Sequence, residues 1–309
     1  MLRVQPARFL SHRHSAMVLG ALASIFFGFW GFFNKLASGQ SIYITNFIIY
    51  GIAFLIALPG LIRQQGKPVT GLLAGVSGGI LNWLILFALT HHNLILIYPF
   101  VSFGTLVFIG LSFYFLGGNF STHSTGMLTS GILLAFLGLV LCGIGISGGL
   151  VAVESAKVDI ATIGLGILIS LLTGFWNFFA FLTVTKKKVS PLSTTFWILS
   201  GSFLVSVVLL IIHANDLKNY AASKETLYSA LSGFFLFFGS YSTFHAFRLV
   251  PGDTQRLEQT ITVLLSNSEM LPILFLSILF LGERSMEGIV GAVLVLSGVV
   301  ILHLSKDTA

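Results

Sequence analysis

Few of the 309 residues carry charge: 8% are Asp, Glu, Lys or Arg, against about a quarter in a soluble globular domain. Hydrophobic residues make up 55%, and the mean hydropathy is +0.97. A chain so poor in charge cannot clothe a soluble surface, and its composition is that of a membrane protein. It has a single cysteine, Cys142, set in an apolar run. That excludes an intrachain disulfide and any zinc-ligand spacing. There is no HExxH, no pair of carboxylates inside an apolar run and no Gly-rich phosphate loop, so an intramembrane enzyme built on any of these lacks its working parts. The expectation is a protein that is not an enzyme and holds no cofactor or metal. A channel would show a carbonyl filter or a charge ring, and neither is visible. The net charge of +6 does not point to nucleic acid, because the basic residues lie in short clusters between apolar runs, the pattern that orients membrane proteins.

A hydrocarbon core needs roughly 20 apolar residues per helix. Ten runs of about that length are present, over 16–38, 41–62, 69–91, 93–116, 126–147, 159–185, 191–213, 226–249, 258–281 and 286–304. With the N-terminus inside, the inner loops collect Arg3, Arg8, Arg13, Arg63, Lys67, Lys186, Lys187, Lys188, Arg248, Arg256 and Lys306. The outer loops hold Lys35, Lys157, Lys218, Lys224 and Arg284. The excess of basic residues on one side predicts both termini in the cytoplasm. The first run is too long for the apolar part of a signal peptide and reads as a retained helix.

The phrase "GFWGFF", Gly28 to Phe33, returns as "GFWNFF", Gly174 to Phe179. Aligned on it, Gly20, Ser24 and Gly28 correspond to Gly166, Ser170 and Gly174. "LGGNF" from Leu116 precedes Gly131 and Gly138, and "LGERS" from Leu281 precedes Gly291 and Gly298. Helices three and eight match more faintly, Gly75 and Ala88 against Gly233 and Ala246. The chain divides into a basic segment 1–15, a five-helix half 16–147, a linker 148–158, a second half 159–304 and a tail 305–309. Five is odd, so the second half enters the membrane from the opposite side. Duplicated halves of inverted topology are a signature of secondary transporters. The expected fold is therefore an all-α membrane protein of ten transmembrane helices in two inverted five-helix repeats.

The ten helices as five plus five, the first-helix phrase "FFGFWGFFNKLA" and "LGERSMEGIVGAVLVLSGVVIL" from Leu281 to Leu302 together resemble the drug/metabolite transporter superfamily, in particular its EamA-type domains. The first half departs from the pattern, since "LGGN" lacks the acid. The resemblance implies a central cavity bounded by helices 1, 3, 4, 6, 8 and 9. It also implies transport of a small organic metabolite, an amino acid or amphipathic compound, with export as the expected direction; a sugar or nucleotide-sugar transporter of the same fold is the alternative. A non-transporting membrane protein or intramembrane enzyme is the more distant one. The expected partners are the substrate, the lipid bilayer and a proton or other coupling ion, with no nucleic acid; a homodimer is left open. The expected location is a bacterial inner membrane.

The small residues Gly20, Ser24, Gly28 and Gly166, Ser170, Gly174 step by four and form stripes for close helix packing. Trp30 and Trp176 lie two residues on, about 200° round the helix, and either line a wet cavity or pack. Asn34, one turn beyond Trp30, either shares a ligand with it or ties helices together; Asn82 has the same two options. Asn177 stands where the first copy has Gly31. In helix nine Gln259, Thr262, Ser266 and Glu269 form a polar stripe that should turn inward. Pro272 cannot donate to Ser268 and should kink that helix, leaving a free carbonyl beside the carboxylate. Glu269 is the only acid deep in a run and the candidate for the coupling ion. Tyr241 completes the substrate-binding candidates Trp30, Asn34, Asn82, Trp176, Asn177, Thr262, Ser266 and Glu269.

Overall fold

A segment alone in hydrocarbon can satisfy its backbone only as a helix. The computed structural model describes residues 6–62, 69–91, 97–116, 125–146, 160–185, 187–218, 220–249, 265–266, 268–281 and 286–304, and these form helices and no strands. In chain order they are α1 (Pro6–Ala37), α2 (Ile42–Ala57), the single turn α3 (Pro59–Ile62), α4 (Val69–His91), α5 (Ile97–Leu116) and α6 (Thr125–Ile146). Then follow α7 (Ile160–Thr185), α8 (Pro191–Ile212), the single turn α9 (Asn215–Lys218), α10 (Lys224–Leu249), α11 (Met270–Leu281) and α12 (Met286–Leu304). Four stretches are long and apolar enough to cross a membrane by themselves: Ser15–Ala37, Val69–Ala88, Ile163–Thr185 and Pro191–Ile212. The protein is an all-α protein of membrane type.

Its burial pattern is inside out. Leu55, Leu204, Ile211, Phe275, Leu279, Val293 and Leu296 are exposed, whereas Asn34, Asn46, Asn82, Asn177, Ser232 and Glu269 are buried. Lipid accepts apolar side chains but offers polar ones no partner. Buried hydroxyls accordingly turn back on their own helices. Thr173 donates to the Ile169 carbonyl at 2.9 Å, Thr195 to Pro191 at 2.8 Å and Thr243 to Gly239 at 3.0 Å. Each bond spares a buried group a penalty of about 1–3 kcal/mol.

Proline sets the breaks. Ser190 caps α8, accepting from the Ser193 N–H at 3.2 Å, with Pro191 at the first helical position, where a missing N–H costs nothing. The expected run 41–62 is divided at Leu58, because Pro59 has no N–H to continue the ladder. Of the expected helix 258–281, residues 258–264 and 267 lie outside the described residues. Leu265 and Ser266 are helical, Ser268 and Glu269 are not, and α11 runs from Met270 with Pro272 in its first turn. The expected free carbonyl at Ser268 is corrected, since the Leu271 N–H donates to it at 3.0 Å. The helical path is thus interrupted at Ser268 and Glu269, just ahead of Pro272.

Glycines decide which helices meet. A Cβ on Gly138 would lie 2.5 Å from the Gly291 carbonyl oxygen, and one on Gly298 would lie 2.6 Å from that of Gly131. The four glycines therefore face one another across an antiparallel α6–α12 pair, where packing alone holds helices together. Gly28 lies against Pro272 at the start of α11, and Gly174 against Val107 of α5. Gly75 lies against the Ile198 carbonyl of α8, and Gly233 against the Ile49 carbonyl of α2. Contacts between α1 and α10, α4 and α7, α5 and α7, and α1 and α11 complete the bundle.

Candidate functional site

At the centre of the bundle is a cavity with about 590 Å³ of non-atom space, its mouth included. Phe27 and Trp30 from α1, Tyr50 from α2 and Leu81, Asn82 and Ile85 from α4 form part of its wall. Val101 from α5, Thr173 and Trp176 from α7, Ser202 from α8, Leu236 and Ser240 from α10, and Glu269 complete most of the rest. The wall is mainly apolar and aromatic, with a few convergent polar groups, the usual makeup of a small-molecule site. Trp30 and Trp176 both meet Phe27 edge to face, with ring centroids 6.1 and 6.0 Å apart. Trp176 has its indole edge over Gly78, whose absent side chain leaves the room: a Cβ there would stand 2.8 Å from Trp176 Cδ1.

Glu269 borders this cavity just before the first turn of α11. It is 6% exposed, and its Oε2 meets no hydrogen-bond partner among the described residues. A buried carboxyl oxygen with no partner is expensive in any protein, and more so in a bundle of apolar helices.

Next to the cavity, at Asn82, amides join four helices. The Ser232 hydroxyl donates to Asn34 Oδ1 at 2.7 Å, Asn34 Nδ2 donates to Asn82 Oδ1 at 3.2 Å, and Asn82 Nδ2 donates to Asn46 Oδ1 at 2.7 Å. This chain joins α10, α1, α4 and α2. Beyond it, the turn after α1 is latched to the segment around α9. Gln40 Nε2 donates to the Ser229 hydroxyl at 2.9 Å, Ser41 donates to Asp216, and Tyr43 stacks on His213 with centroids 3.7 Å apart. On the Trp176 side, Phe108, Phe178, Phe181, Phe244 and Phe247 pack with Ala74, Ala180, Val184 and Ile198.

The structure sorts the sequence candidates. Trp30, Asn82, Trp176 and Glu269 line the cavity. Asn34 does not; it ties helices together. Asn177 is corrected from the substrate face to the packed interior: it is fully buried and donates to the Thr173 carbonyl at 3.1 Å on its own helix. Tyr241 is likewise off the cavity wall, stacked on Phe237 at 6.1 Å and edge-on to His245. Ser266 is buried but does not line the cavity, and Thr262, like Gln259, lies outside the described residues. Of the small stripes, Gly20, Ser24, Gly28, Gly166, Ser170 and Gly174 are all buried. Ser170 also donates to the Phe100 carbonyl of α5 at 2.7 Å.

Sequence reasoning passed over Phe27, Asn46, Tyr50, Thr173, Ser202 and Ser240. A signal existed for two of them: Asn46 and Tyr50 are four apart in an otherwise apolar run, hence on one helix face. The Tyr50 hydroxyl donates to the Gly78 carbonyl at 2.8 Å, and Ser202 to that of Gly75 at 2.7 Å.

Neither a family model nor a curated protein matches the sequence. One solved structure, bearing the words "Crystal structure of protein", superposes with a TM-score of 0.73 at 14% identity over 96% of this chain and 99% of that one. The two chains share a fold over nearly their whole length.

Proposed function

We propose that the protein is a secondary transporter of a small organic metabolite, built like the EamA-type members of the drug/metabolite transporter superfamily. In this reading ten helices span the membrane as two inverted halves, both termini face the cytoplasm, and the membrane is a bacterial inner one. The observation that carries it is the cavity with a buried carboxyl, walled by residues from both halves of the sequence. The contact pattern supports the inverted repeat. Exchanging the nth expected helix of one half for the nth of the other turns the α1–α10 contact into α7–α4, α1–α11 into α7–α5, and α4–α8 into α10–α2. All six contacts occur, and α6–α12 maps onto itself. A two-fold axis in the membrane plane produces that symmetry, with the substrate held near the midplane where the halves meet.

Alternating access then consists of opening at the amides and at the phenylalanines in turn. The purified protein is reconstituted into liposomes and offered a labelled metabolite extract. The expected result is saturable uptake or exchange that empty liposomes lack. Chemical conversion without flux would replace the reading with an enzyme, and flux without saturation with a channel.

A further inference from the structure

The chemistry of the cavity wall narrows the cargo. This step rests on the proposal that the cavity is the transport site. Every lining hydroxyl with a described partner spends its proton on the backbone: Tyr50 on Gly78, Ser202 on Gly75 and Thr173 on Ile169. Such oxygens retain only lone pairs, so they accept and do not donate. No Lys, Arg or His is among the described lining residues. Glu269 Oε2 is buried without a partner among the described residues. The donors left over on the described wall are Trp30 Nε1, Trp176 Nε1, the Ser240 hydroxyl and the second N–H of Asn82 Nδ2, none of which carries a charge.

An anion would meet a carboxyl group and, among the described residues, no positive charge. A neutral sugar would leave the Glu269 carboxylate without an opposite charge. An ammonium group only donates. It would supply both the missing partner and the opposite charge for Glu269, and the faces of tryptophan are the best of the aromatic surfaces for a cation. Phe27, Leu81, Ile85 and Leu236 leave the remainder of the cavity suited to an apolar body.

We infer that the cavity binds an organic ammonium ion with an apolar body, its N–H groups donated to Glu269 and its body held against Trp30, Trp176 and Phe27. The test uses full-length protein in detergent and calorimetric titration with ethyl-, butyl-, 2-phenylethyl- and 2-(indol-3-yl)ethylammonium, each paired with the alcohol of the same skeleton. At least one ammonium ion is expected to bind about tenfold or more tightly than its alcohol, the scale of one charge-assisted contact in a desolvated aromatic site. Glu269→Gln, checked for an unchanged elution profile, should erase that ratio while leaving alcohol binding in place. The inference is overturned if no ammonium ion outbinds its alcohol, a comparison that needs no variant, or if the Gln variant keeps the preference. Flux of the same compounds in liposomes separates the two claims. Tight ammonium binding without flux removes the transport reading and leaves this one standing. Saturable flux of a neutral metabolite without ammonium preference does the reverse.

Discussion

The two copies of the repeated phrase end in opposite chemistry. Asn34, in the first copy, joins Ser232, Asn82 and Asn46 in a line of side-chain hydrogen bonds. Ala180, its counterpart in the second, is buried among Phe108, Phe178, Phe181, Phe244 and Phe247. The two groupings differ in what it costs to open them to water. Water can replace an amide's partner almost one for one, so a broken amide pair facing water loses only about 0.5–1.5 kcal/mol. A phenylalanine drawn into water loses about 1.5–3 kcal/mol of apolar burial. The amide grouping is thus the cheaper of the two to open.

The largest effect expected concerns the packing that the copies share. A Cβ on Gly28 would meet the Cβ of Pro272, and one on Gly174 would lie 2.5 Å from the Cβ of Val107, atoms that no rotamer change moves. Overpacking of this kind costs about 1–3 kcal/mol, so Gly28→Leu and Gly174→Leu should both lower the thermal unfolding midpoint in detergent by similar amounts; a loss confined to one of them would mean that the other crossing yields.

Exchanging the chemistry of the two groupings comes next. Ala180→Asn buries an amide among rings and should cost about 1–3 kcal/mol. Asn34→Ala should cost nearer 1 kcal/mol, because Ser232 is also within 3.2 Å of the Trp30 carbonyl and Asn82 keeps Asn46. A larger loss for Asn34→Ala, read from the same melts, would make the amide grouping the costlier of the two to open. Accessibility gives a third comparison. With Cys142 replaced by Ser, a cysteine at position 232 should react with a small water-borne thiol reagent about tenfold faster than one at position 180, the ratio that a burial difference near 1.4 kcal/mol sets. Equal rates would dissolve the distinction. The smallest effect belongs to the latch beyond the amides. Gln40→Ala removes bonds to Ser229 and Thr226 at a half-exposed site and should shift stability by about 0.5 kcal/mol or less, while raising the reactivity of position 232. A shift of several degrees in the melt would make the latch a structural clamp instead of a gate.

Much of this architecture follows from composition and period. Low charge and long apolar runs dictate helices in lipid, since no other local structure satisfies the backbone there. Glycine spacing of four and seven announces close packing, and Gly28, Gly174, Gly138 and Gly298 are each found at such a crossing. What the sequence left undecided is which side of a helix a polar residue serves. Asn34, Asn82 and Asn177 look alike along the chain, yet one bridges helices, one lines the cavity and one bonds its own backbone. The reason is geometric: a period of 3.6 places residues around a helix but does not say what stands opposite them. The start of α11 at Met270 was hidden for a similar reason. Pro272 is compatible with a kink or with a first turn, and the choice depends on how Ser268 and Glu269 meet α1, where Gly28 lets the Glu269 backbone come close. The sequence by itself determined a helical membrane protein with glycine-packed crossings. Only the tertiary structure decided that Glu269 faces a cavity of acceptors and aromatic rings, because that neighbourhood is assembled from helices up to about 240 residues apart, running from Phe27 to Glu269, and no local pattern in a chain encodes what long-range packing brings to its side.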